Sequence, residues 1–355
     1  MIVHQWVPSA HQGDAVGDQA RRLRELCRDW GHESDLFAMS VDPALDDDVQ
    51  SWDAPEARDG DVTILHFATA SPMSAAFGRL PGTRILAYHN VTPARFFAPY
   101  DAGLARTAAI AREELAALAD RVDLAVGASA YSCRELDALG FPRTQVLPIL
   151  VDLDRLRRAP GVPALERQLQ DGFANILFVG RIAPQKRLDH HIHLAQHYMR
   201  YVDAYYRFIF VGRYDVVPGY FEAVQAMVQT FKIPSERFWF TGAVPEHELA
   251  AYYRHAHAYV SLSEHEGFCV PLVEAMAMDV PVLAYADTAV PETLGGAGVT
   301  FQPKDLEVAA ELLGGLVYDE PFRNAVLAGQ RTRVRDFDRS RIEPAFRAML
   351  ETVTS

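Results

Sequence analysis

Short apolar and β-branched runs alternate with stretches of helical period almost throughout this chain, and that alternation is the strongest limit on its fold. Parallel strands need a long crossover, usually a helix lying on a sheet face, so the pattern predicts parallel sheets covered on both sides. In the first half the expected strands are Ile2–Val7, Asp35–Ala38, Val62–Phe67, Arg84–Tyr88, Asp123–Gly127 and Gln145–Ile149. Between the first two, Val16, Ala20, Leu23, Cys27 and Trp30 make one apolar face of a helix that Gly31 ends. A second series follows: Asn175–Gly180, Arg207–Gly212, Arg237–Gly242, Ala258–Leu262 and Val280–Tyr285. Residues 151–172 between the series are rich in Pro and Gly and lack a sustained apolar period, so they are expected to connect two domains, 1–158 and 159–338.

A chain of 355 residues is longer than one hydrophobic core comfortably serves, in keeping with two doubly wound domains. At 49% apolar and 23% charged residues it reads as globular. A net charge of −13 argues against a general nucleic-acid binder, which needs clustered positive charge. The three scattered cysteines, Cys27, Cys133 and Cys269, fit a reducing compartment. The N-terminal residues MIVHQWVPSA resemble neither a signal peptide nor a membrane span, so the expected location is the cytoplasm.

Four segments carry candidate chemistry. In EHEGFCVPLVEAMAMDVPVLAYADTAVPE, Glu266 and Glu274 stand eight residues apart across a turn that enters a helix. Gly267 permits close backbone approach, Pro271 suits a first helical turn, and the N–H groups of that turn favour an anion. In FVGRIAPQKR, Arg181 and Lys186 sit between a strand and a helix starting near Leu188, an arrangement suited to a diphosphate. Of 34 basic residues only Lys186, Lys232 and Lys304 are lysines, so a lysine here is distinctive. In PSAHQGDAVGDQA, Gly13 and Gly17 flank Asp14 where a doubly wound domain commonly meets phosphate or sugar, although a turn glycine and a helix-capping aspartate would read the same way. In LAYHNVTPARFF, a strand delivers His89 and Asn90 to its C-terminal end, and Thr92, Arg95 and Phe96 follow.

Other patterns carry less. Asp152-Leu-Asp154 and Asp336-Phe-Asp338 match D-x-D but lie away from strand ends. His193 and His197 lack a third metal ligand. Ser129 is expected to cap a helix from Tyr131 to Leu139. Arg21, Arg24 and Arg28 form a basic stripe on the first helix, expected as a charged outer face that could touch an anionic membrane surface.

The E-x7-E spacing of Glu266 and Glu274, the Arg181/Lys186 pair, the YHN-x-TP segment and the phrase TGAVPEHELAAYY together resemble the retaining glycosyltransferases of sequence family 4, in the branch that assembles bacterial surface polysaccharides. The resemblance implies the GT-B fold, an α/β architecture of two Rossmann-like domains facing a cleft, with a C-terminal helix, 339–355, packing back on the first. It implies transfer of a hexose, with GDP-mannose the first choice of donor and UDP-hexoses next, to a hydroxyl of a saccharide or lipid-linked acceptor. It further implies that Arg181 and Lys186 grip the diphosphate, with Gly267, Phe268, Cys269 and Val270 contributing the turn at the donor. Ala243 and Val244 would lie against the base, Glu274 would bind the ribose, and Glu266 and His89 would contact the transferred sugar. Gly13, Asp14, Gly17, Asn90 and Thr92 would lie near phosphates and acceptor. No metal or other cofactor is expected, and peripheral contact at the inner membrane face would suit a lipid-linked acceptor. Two alternatives remain at this point: a non-hydrolysing nucleotide-sugar epimerase and a non-catalytic sugar-nucleotide-binding subunit.

Overall fold

In a computed structural model of the chain, which describes every residue except Gln12, Asp46 and Ser355, the strands form two separate parallel sheets. The first contains β1 (Val3–Ala10), β2 (Leu36–Val41), β3 (Gln50–Ser51), β4 (Val62–Phe67), β5 (Thr83–Tyr88), β6 (Leu124–Gly127) and β7 (Thr144–Val146), in the order β3-β2-β1-β4-β5-β6-β7. The second contains β8 (Ala174–Val179), β9 (Tyr206–Val211), β10 (Phe238–Gly242), β11 (Ala258–Ser261), β12 (Val282–Tyr285) and β13 (Val299–Phe301), in the order β10-β9-β8-β11-β12-β13. Strand order therefore reverses once in each sheet, between β1 and β4 and between β8 and β11. Loops leaving the C-terminal ends of strands beside such a reversal diverge to opposite faces and open a crevice, where ligands of doubly wound sheets bind.

One compact unit comprises residues 1–95, 103–151 and 337–355, and the other 96–102 and 152–336. The helix Arg339–Thr354 belongs to the first unit: Ile342, Phe346, Met349 and Leu350 are buried with Val3, Leu23, Ile64 and Ile85. The chain passes to the second unit after Val151, earlier than the expected boundary at 158. The connecting residues 151–172 contain two short helices, Leu153–Arg158 and Pro163–Leu169. Asp152 caps the first of them, its Oδ1 accepting from Arg155 N at 3.0 Å, and Pro163 opens the second. Helices this short show no repeating apolar face.

Strand ends follow their partners. β1 continues past Val7 because Ser9 and Ala10 pair with Ser40 and Val41 of β2. β7 stops at Val146 because β6 ends opposite it at Gly127. The additional strands β3 and β13 are short edge strands, whose exposed residues blur the apolar signal.

The helix Ala15–Asp29 buries Ala20, Leu23, Leu26 and Cys27 as its apolar face requires. Its basic stripe is an outer face at Arg28, which is exposed, and partly at Arg21, but not at Arg24. Arg24 is buried at 3% exposure, donating to Asp48 O at 2.5 Å and Asp48 Oδ1 at 2.6 Å. Arg21 pairs with Asp18 and Arg28 with Asp35. Among the described residues no helix is long and apolar enough to cross a membrane.

Candidate functional site

In the second unit the two main motif loops leave neighbouring strands on either side of the reversal, β8 and β11. The loop after β8 turns at Gly180, and Gly212 after β9 packs directly on it. A Cβ at Gly212, where φ is 144°, would fall 2.1 Å from the Gly180 carbonyl oxygen. Only glycine permits that approach. Pro184–Lys186 then form one 3-10 turn, and Arg187, at φ 53°, starts the helix Leu188–Tyr201.

That geometry delivers Lys186 to Glu266. Lys186 Nζ donates to Glu266 Oε1 at 2.6 Å, and the carboxylate side chain is only 8% exposed. The main-chain N–H of Glu266 donates to Thr288 Oγ1 at 2.9 Å. Arg181 is exposed, with no ion-pair partner among the described residues. A buried, neutralised pair thus lies in the same crevice loops as a cation open to an incoming anion.

After Gly267 and Phe268, Cys269 takes up the left-handed conformation, φ 72°, and the helix Val270–Ala277 begins with Pro271 in its first turn. Thr293 Oγ1 holds the Phe268 carbonyl at 2.5 Å. Burial, with the Glu266 charge adding to it, pushes the Cys269 thiol well above its ordinary range, so it is uncharged. Glu274, half-buried one turn into the helix, accepts from Tyr253 Oη at 2.8 Å through Oε2. Ala243 is exposed and Val244 half-buried in the turn between β10 and the helix Glu246–Arg254.

A second layer of charge, which the sequence did not single out, ties the same two loops together. Arg187 Nη1 reaches both oxygens of Glu264 at 2.9 and 2.8 Å, and Lys304 Nζ reaches Glu264 Oε1 at 2.8 Å and the Leu262 carbonyl at 2.9 Å. Arg187 Nη2 also holds Asp189 at 2.7 Å, and Tyr220 Oη donates to Asp189 at 2.9 Å. The main chain closes the brace, with Glu264 N on Gln185 O at 2.8 Å. Burial works against both carboxylates, yet Lys304 and Arg187 hold Glu264, and Arg187 holds Asp189, below the ordinary carboxylate range. The signal was adjacency: Arg187 follows Lys186, and Glu264 lies two positions before Glu266.

The first unit gathers its candidates at the C-terminal edge of its own sheet. Asp14 caps the helix Ala15–Asp29, its Oδ2 accepting from Gly17 N at 3.2 Å, and Gly13 supplies a left-handed turn at φ 72°. His89 follows β5, with Nε2 against His66 Nδ1 at 2.9 Å. Burial lowers the His89 pKa to about 4, so the ring is neutral. Asn90, left-handed at φ 70°, is turned inward: its Nδ2 donates to Glu135 Oε2 at 2.9 Å, which also accepts from Tyr88 Oη at 3.1 Å. Thr92 is half-buried beyond it. Phe96, expected on a loop of the first domain, belongs to the second unit, where its ring lies 6.2 Å from that of His265.

The discounted patterns have structural roles. Asp152 is a cap, Asp154 pairs with Arg157, and Asp336 pairs with Arg333. Ser129 caps Ala130–Ala138, its Oγ accepting from Ser132 N at 3.1 Å. His193 packs edge-on against Phe231 and His197 stacks on Tyr201.

Residues 166–332 match the family model described as glycosyl transferases group 1. The serotype-specific mannosyltransferase WbdA of Escherichia coli is 28% identical over 170 residues, which is 48% of this chain and 20% of that protein. The chain therefore spans about a fifth of the length of the first curated relatives it matches. A GDP-mannose-dependent alpha-mannosyltransferase of Mycobacterium tuberculosis is 29% identical over 302 residues, covering 77% of this chain and 75% of that one. The Anabaena protein HepE, crystallised with UDP-glucose, superposes with a TM-score of 0.79 over 99% of this chain and 100% of its own, at 14% identity. The fold is GT-B. Both Rossmann-like units of the GT-B chain thus keep their candidate residues on the loops beyond strand C-termini or in the first turns of the helices that follow.

Proposed function

We propose that the chain is a retaining glycosyltransferase of sequence family 4 that moves a hexose, mannose from GDP-mannose, to a hydroxyl of a saccharide or lipid-linked acceptor. The observation that carries this reading is the 2.6 Å contact between Lys186 and Glu266, which joins the diphosphate motif to the first glutamate of E-x7-E. The similarity to mannosyltransferases supports mannose as the sugar.

As the sugar C1–O bond breaks, negative charge grows on the diphosphate and positive character on the ring. Arg181, Lys186 and the N–H groups at Phe268–Val270 stabilise the departing diphosphate, a preorganised arrangement that gains strength as charge develops. Glu266 lies against Lys186 and is placed to orient sugar hydroxyls and offset the ring charge. Glu274, steadied by Tyr253, takes the ribose hydroxyls, and Ala243 and Val244 border the base. The acceptor attacks from the face the diphosphate leaves, its proton passing to the leaving phosphate oxygen, so the anomeric configuration is kept. Asp14, Gly13, Gly17, His89, Asn90 and Thr92 belong to the acceptor and sugar side.

Incubation with GDP-α-mannose and a mannoside acceptor, followed by NMR of the new linkage, tests this. An α-linkage formed only with acceptor supports the reading; a β-linkage, or a rearranged sugar formed without acceptor, overturns it.

A further inference from the structure

Three neighbouring strands of the first sheet bring one buried polar line to their C-terminal edge. Gln5 on β1 and His66 on β4, both fully buried, meet at 2.8 Å between Oε1 and Nε2. His66 Nδ1 meets His89 Nε2 at 2.9 Å, and the two rings stack with centroids 5.2 Å apart. The line crosses the reversal between β1 and β4 and ends beside β5. Its two terminal atoms, Gln5 Nε2 and His89 Nδ1, are buried without a hydrogen-bond partner among the described residues. Apolar residues would avoid that cost, so the line has a use other than packing.

The proton pattern follows from the Gln5 amide oxygen, rather than its nitrogen, facing His66. Gln5 Oε1 only accepts, so His66 donates from Nε2. Burial, with His89 adding to it, lowers the His66 pKa well below its ordinary value, so that ring is neutral and its Nδ1 must accept. His89 therefore donates from Nε2, and its Nδ1 carries no hydrogen. His66 is the titratable group facing His89, and the group facing His66 on its other side, Gln5, is uncharged.

We propose that Gln5 and His66 are positioning residues that hold His89 in the Nε2–H tautomer, leaving its Nδ1 without a hydrogen. The consequence for turnover rests on the transferase reading above, whereas the proton pattern does not.

The test is the 15N spectrum of the full chain labelled at histidine, with His89 assigned by comparison with His89→Gln. The expected result is His89 protonated at Nε2 and bare at Nδ1 from pH 7 to pH 5.5. A proton on Nδ1, alone or with Nε2, in that range overturns the proposal. Gln5→Leu is expected to give mixed tautomers at His89 and about tenfold lower kcat at unchanged KM for GDP-mannose, the effect of one hydrogen bond. Gln5→Glu, which keeps an acceptor, restores the tautomer. A wild-type spectrum in Gln5→Leu overturns the relay. Wild-type protein with the expected tautomer and no transfer from any donor leaves the relay standing and removes the transferase reading alone.

Discussion

Lys186 and Glu266 lie 80 positions apart in sequence and 2.6 Å apart in space, on loops that leave adjacent strands in opposite directions. The pair is neutral as a unit and mostly shielded from water, which makes it stiff. On the proposed reading, a diphosphate entering beside it meets the exposed Arg181 first and shares Lys186 with the carboxylate. In that reading the pair couples the grip on the leaving group to the group that orients the sugar.

Lys186→Ala removes a preorganised cation and leaves Glu266 buried without its charge partner. Turnover is expected to fall by about 100-fold or more, with the fold retained. Steady-state rates and thermal melting on the same preparation check this; a near-normal rate contradicts the assignment.

Glu264→Gln tests the brace. Its carboxylate joins Arg187 to Lys304, and loss of these charge-assisted bonds is expected to cost about 1.5–3 kcal/mol of stability, read by urea unfolding.

The same brace gives a pH dependence. Glu264 and Asp189 have folded-state pKa values below their unfolded ones, so their stabilisation is fully present above about pH 5 and is lost as pH falls through the folded values. Melting temperatures measured from pH 7 to pH 3 should fall more steeply for wild type than for Glu264→Gln. Parallel curves contradict the brace.

Arg24→Ala is expected to destabilise by about 1–3 kcal/mol, because Arg24 is buried on Asp48, whereas Arg21→Ala, nearer the surface, should change stability by less than about 0.5 kcal/mol. Equal effects would return Arg24 to the charged outer face that helix periodicity alone suggests.

Gly212→Ala places a methyl carbon 2.1 Å from the Gly180 carbonyl oxygen at a φ hostile to side chains. The loop carrying Arg181 must move, so both stability and donor affinity should drop, the former by about 1–3 kcal/mol. Unchanged donor titration would mean the loop does not position the site.

The parallel sheets were legible because strands such as β4 and β9 are buried end to end and are mostly apolar, with only Thr63 and His66 in the one and Arg207 in the other breaking the run. What periodicity missed was short or set by partners: β3 and β13 at the edges, the two small helices after Val151, and the early end of β7. In the second unit, spacing within each loop pointed to Lys186 and Glu266, but their contact depends on the β8–β11 adjacency, which no local pattern encodes. Arg187, Glu264 and Lys304 stood next to the motifs or among the rare lysines, but their mutual contacts depend on the same adjacency of loops. Gln5 and His66 read as ordinary strand residues until three strands align them.

The most direct measurement is release of nucleoside diphosphate from a panel of GDP-, UDP-, ADP- and dTDP-sugars in the presence of EDTA, for wild type, Lys186→Ala and Glu266→Gln. Slow release from GDP-mannose by wild type, lost in both variants, is the predicted result. No binding or release with any donor, or release unaffected by either substitution, would contradict a donor site built on Lys186 and Glu266.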